Sequence, residues 1–141
     1  MTGGGVEILG WAARAVGLFY LAGGLFTLRA GRMEAFLDTA IARIEGQPAD
    51  PAERLRGWSM MIIGALTALS GLLLLLLLKT ALYAFVANAV WQVAYLAWAG
   101  RALPPDTALA AAGRGRTINA LVVWLVMTGL VLLLFERGVL T

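Results

Sequence analysis

The chain has 141 residues, 61% of them hydrophobic and only 13% charged, against roughly 25% charge in soluble domains, and its mean hydropathy is +0.85. It holds no cysteine and no histidine, which excludes disulfides, thiolate nucleophiles, zinc sites of the usual N/S type, histidine-ligated haem and a near-neutral imidazole switch. The net charge of +3 comes from ten arginines and one lysine set around apolar stretches instead of in a basic stripe, a pattern of membrane anchoring and not of nucleic-acid binding.

Four apolar stretches cover residues 8–28, 57–78, 81–100 and 117–135. Each has the length of about 20 residues that a helix needs to cross a hydrocarbon core of about 30 Å. The expectation is an all-α integral membrane four-helix bundle, with 1–141 forming a single transmembrane domain because so little chain lies outside the spans. The first seven residues carry Glu7 and no Lys or Arg, unlike a cleaved signal peptide, so the first stretch reads as a retained span.

In the first span glycines fall at Gly3, Gly10, Gly17, Gly24 and Gly31, and in the second at Gly57, Gly64 and Gly71. A spacing of seven keeps a residue on one face of a gently supercoiled helix. Lipid offers helices no hydrophobic drive to associate, and a bare stripe lets two backbones approach. The sequence therefore predicts that Gly10, Gly17 and Gly24 pack against Gly57, Gly64 and Gly71.

Between these spans, residues 32–45 place Met33, Phe36, Leu37, Ala40, Ile41 and Ile44 at helical spacing, with Arg32, Glu34, Asp38 and Arg43 elsewhere on the wheel. This predicts an amphipathic interfacial helix lying flat among the headgroups. Residues 46–51 punctuate the chain, and Asp50, Pro51 and Glu53 form a capping-box-like start to the next helix. Only Lys79 and Thr80 separate the second and third spans. One helix running from 51 to 100 would be roughly 75 Å long, so a tight reversal must occur there, although no glycine, proline or asparagine marks it. Pro104, Pro105 and Asp106 close the third span and start a short helix over 107–112, with Gly113 and Gly115 before the fourth.

With four spans, the first and third connections share one side. They carry Arg29, Arg32, Arg43, Arg54, Arg56, Arg101, Arg114 and Arg116, against Arg14, Lys79 and Arg137 on the side of the termini. The positive-inside rule then puts those connections in the cytoplasm and the termini outside, in a cell (inner) membrane. Trp11 and Tyr83 outside, with Trp58 and Trp98 inside, fit aromatic belts. The second and fourth spans also align when slid by 58 positions, Ser70-Gly71-Leu72 on Thr128-Gly129-Leu130 and Lys79 on Arg137, an echo of the kind a duplicated hairpin leaves.

Polar residues inside the spans are few. Asn88, Gln92 and Tyr95 lie at i, i+4 and i+7 on one face of the third span, where an unpaired amide in hydrocarbon costs several kcal/mol. Arg14 is the only Asp, Glu, Lys or Arg inside any span. It is read either as snorkelling toward the near surface or as facing the Asn88 stripe to form an intramembrane polar site. No membrane carboxylate is available for proton- or cation-coupled export, and no nucleophile with a base, acid pair or phosphate-cradling loop is present. No catalytic, cofactor or metal site is predicted.

Four spans with a long first connection resemble the plan of several small bacterial membrane families, DoxX-like proteins among them, and arginine-over-lysine bias points the same way. The resemblance carries no function over. The expected role is helix association, as an accessory or assembly subunit or a homo-oligomer, with membrane lipids and other membrane proteins as partners. The alternative is a small transporter or channel for a neutral or anionic solute lined by Arg14, Asn88, Gln92 and Tyr95.

Overall fold

The computed structural model describes residues 3–48, 51–102 and 106–141, and among the described residues it contains helices and no strand. In chain order these are α1 (Gly3–Glu45), α2 (Pro51–Leu75), α3 (Thr80–Ala102) and α4 (Ala108–Glu136). All four are long and apolar enough to cross a membrane. Asp50, Pro104 and Pro105 lie outside the described residues, as does the Glu53 side chain, so the capping arrangements expected of them do too.

One expectation is corrected. Residues 32–45 do not form a separate interfacial helix but continue α1 without a break, giving 43 residues in one helix, about 65 Å at 1.5 Å per residue. Nothing between Leu28 and Met33 stops a helix: Arg29, Ala30 and Arg32 are compatible with one, and Gly31 is buried against the Met61 side chain of α2. The continuation is held by α2, whose Arg56 guanidinium forms an ion pair with Glu34. Likewise, the short helix expected over 107–112 merges with the fourth span in α4, which runs through Gly113 and Gly115.

Three of the helix ends follow one chemistry. At Gly46, Leu77 and Gly138 the backbone turns left-handed, with φ of 68°, 55° and 72°. In each case the next amide reaches back five residues: Gln47 to the Ala42 carbonyl, Leu78 to Leu73 and Val139 to Leu134. This is the Schellman arrangement, which satisfies carbonyls orphaned at a helix C-terminus. Glycine serves two of the three positions, but a leucine takes the left-handed conformation in the reversal between α2 and α3. Residue 141 then ties that turn down: its amide donates to the Leu77 carbonyl at 2.7 Å and its carbonyl accepts from Lys79 N–H at 2.9 Å.

The helices pack mainly with their chain neighbours, α1 on α2, α2 on α3 and α3 on α4, the first of these being the most extensive. Tyr20, Leu74, Ala81, Phe85, Trp124, Val131 and Leu140 form a buried cluster drawn from all four helices and the C-terminal residues. Its centre is aromatic. Phe85 and Trp124 stack with centroids 4.5 Å apart and planes 16° apart, and Tyr20 meets both edge-on at 5.8 and 4.9 Å. The Trp124 Nε1–H donates to the Phe85 carbonyl at 3.0 Å, so the indole's polar end is satisfied within the apolar interior.

Candidate functional site

Where α1 and α2 cross, their backbones are in close contact. A methyl built on Gly17 would lie 2.5 Å from the Leu75 nitrogen and 2.7 Å from the Gly71 carbonyl oxygen, and one on Gly71 would lie 2.6 Å from the Gly17 oxygen. One on Gly64 would lie 2.7 Å from the Leu28 nitrogen, and one on Gly24 would overlap the Ala68 backbone. The obstructing atoms are main chain, which cannot swing aside. The other two positions of the proposed stripe differ. Gly10 meets only the Leu77 Cδ1 at 3.8 Å, and Gly57 has open space beside it. The seam is therefore tight over the middle of the pair and opens toward both ends.

Within the polar stripe of α3, Asn88 faces α2. Asn88, fully buried, donates from Nδ2 to the Thr67 hydroxyl at 2.9 Å. Its Oδ1 is buried without a hydrogen-bond partner. Gln92 is buried one turn further along, and Tyr95 is half-buried with its ring 6.0 Å from that of Trp98. On α2, Ser59, Thr67, Ser70 and Leu74 recur at spacings of eight, three and four, the pattern of one helix face. Ser59 and Ser70 are buried, and the Ser70 hydroxyl is occupied by the Leu66 carbonyl at 2.6 Å. Thr67, the residue that pairs with the intramembrane amide, was not among the residues singled out from sequence. Its place on the same helix face as Ser59 and Ser70 was the available signal.

Arg14 stands elsewhere. Its guanidinium lies 5.0 Å from the centroid of the Trp11 ring, one turn back on its own helix, a cation–π contact. Gly24 is the α1 residue level with Ala68, hence with Thr67 and Asn88, and Arg14 lies ten residues before it. That separation is about 15 Å along the axis, beyond the reach of a side chain that leans toward the helix N-terminus. The structure joins Asn88 to Thr67, buries Gln92 one turn along the same helix and leaves Arg14 apart from them.

Compared with known proteins, the chain matches no protein-family model, no curated protein and no solved structure.

Proposed function

We propose that this chain is a multi-pass protein of the cell (inner) membrane that works by helix association, as an accessory or assembly subunit or as a homo-oligomer, and without catalysis. In this reading the four helices form a membrane bundle, with the first and third connections cytoplasmic and the termini outside. The observation that carries it is the outer face of α4. Along its span only Trp124 and Val131 are buried, while Val122, Leu125, Val126 and Leu133 are exposed. Gly115, Asn119, Val122, Val126, Gly129 and Leu133 alternate in steps of four and three, the spacing of a packing seam. Gly115 and Gly129 have nothing within 4 Å of a notional Cβ. The same device, glycine on a heptad, brings α1 against α2, and on α4 it is unfilled within the chain.

A solute path through Arg14 and Asn88 would need both groups in one cavity, and the distance between them along the helices counts against it. The association reading is tested by oxidative cross-linking in native membranes. The chain has no cysteine, so single replacements report cleanly. Val126→Cys and Gly129→Cys are expected to give a discrete cross-linked species, with itself or with one membrane partner. Phe19→Cys, an exposed position on α1, is expected to give none. Equal labelling of all three by lipid-soluble reagent, with no cross-link at any, would defeat the proposal.

A further inference from the structure

Beyond the apolar belt, α1 and α2 splay around a cleft of about 260 Å³ lined by Ala35, Asp38, Thr39, Arg54, Gly57, Trp58 and Met61. It begins where the glycine seam ends, since Gly31 still touches Met61 while Gly57 touches nothing. Its depth is that of the headgroups. Arg29 and Arg32 close the apolar run of α1, and Trp58, exposed at the start of the α2 run, is an interfacial aromatic.

Two charges of opposite sign line this cleft, and among the described residues neither is used by the fold. Glu34 and Arg56 nearby are paired with one another, but Asp38 and Arg54 form no hydrogen bond or ion pair among the described residues. The Thr39 hydroxyl donates to the Ala35 carbonyl at 2.9 Å, which leaves its oxygen free to accept. A plain anion would meet the Asp38 carboxylate and a plain cation the Arg54 guanidinium. A ligand bearing both signs satisfies both. The volume falls just under the roughly 300–1,000 Å³ of pockets for drug-sized ligands, so it admits a headgroup and not an acyl chain.

We propose that this cleft binds the phosphoethanolamine headgroup of a membrane lipid. Arg54, in the first turn of α2 where the helix dipole also favours an anion, takes the phosphate. Asp38 and the Thr39 oxygen accept from the primary ammonium, and the glycerol end leaves past Met61 toward the hydrocarbon. The inference rests on the membrane setting but not on helix association, so a monomer without partners leaves it standing.

The test uses the full chain in detergent with phosphatidylethanolamine, phosphatidylcholine and phosphatidylglycerol of identical acyl chains, scored by lipid retention in native mass spectrometry. Phosphatidylethanolamine is expected to be retained about tenfold over both others, the scale of one charge-assisted hydrogen bond. Choline cannot donate to Asp38, and glycerol brings no cation. Asp38→Asn should abolish the preference over choline, Arg54→Gln should reduce retention of phosphatidylethanolamine about tenfold, and Glu34→Gln, outside the cleft lining, should leave the selectivity unchanged. Equal retention of the three lipids, preference for phosphatidylglycerol, or an unaltered preference in Asp38→Asn would each overturn the proposal. Millimolar glycerophosphoethanolamine should not displace the lipid; if it does, the ligand is the soluble phosphoamine and the lipid assignment fails.

Discussion

Gly71→Ala tests whether backbone contact holds α1 to α2. The added Cβ would meet the Leu21 nitrogen at 2.3 Å and the Gly17 carbonyl oxygen at 2.6 Å, so the helices must separate by about 1 Å to restore ordinary contact. A gap of that size forfeits about half of each contact, and on the order of 20 atom pairs at 0.1–0.2 kcal/mol would then lose about 1–2 kcal/mol. Gly23→Ala is the matched control. It has the same gain in helix propensity and nothing within 4 Å of the new methyl. The difference between the two variants therefore isolates the crossing, and is expected at about 1–3 kcal/mol, the usual range for overpacking. Unfolding by SDS titration in mixed micelles, followed by circular dichroism, measures it. Gly31→Ala should stay near the control, because its obstruction at 3.0 Å is the flexible Met61 Cγ. Agreement of Gly71→Ala and Gly23→Ala within about 0.5 kcal/mol, an effect no larger than a neutral surface change, would refute the reasoning.

Leu77 is left-handed at φ 55°, a conformation costing a non-glycine residue about 1–2 kcal/mol, so Leu77→Gly should be more stable than Leu77→Ala by about 1 kcal/mol in the same titration; the reverse order would show that the turn is not strained there. Thr67→Val removes the partner of the Asn88 amide and should cost about 0.5–1.5 kcal/mol, whereas adding Asn88→Leu should recover most of that loss. A double-mutant cycle with no coupling would mean that the hydrogen bond contributes nothing.

What the sequence made legible depended on period and length. Apolar runs long enough to cross a bilayer located all four helices, because that constraint acts on any segment surrounded by hydrocarbon. The seven-residue spacing pointed to Gly17, Gly24, Gly64 and Gly71, the four glycines at the tight crossing, but extended it to Gly57, where the helices have already diverged around the cleft. Spacing fixes a face and not the point where two faces part. Residues 32–45 looked amphipathic and were expected to lie flat; the same pattern serves a helix that continues straight and leans on α2. The reversal at Leu77 had no local signature, since its left-handed turn is stabilised by residue 141, far along the chain. The meeting of Tyr20, Phe85 and Trp124 was hidden for the same reason.

The unbroken course of α1 has a mechanical consequence. The 17 residues after Leu28 form a stiff arm of about 25 Å continuous with the membrane-crossing rod, with no joint to absorb rotation. A bilayer that thins or thickens changes the tilt of such a rod. A 10° change then carries the tip at Glu45 sideways by about 4 Å, turning bilayer thickness into displacement in the aqueous phase.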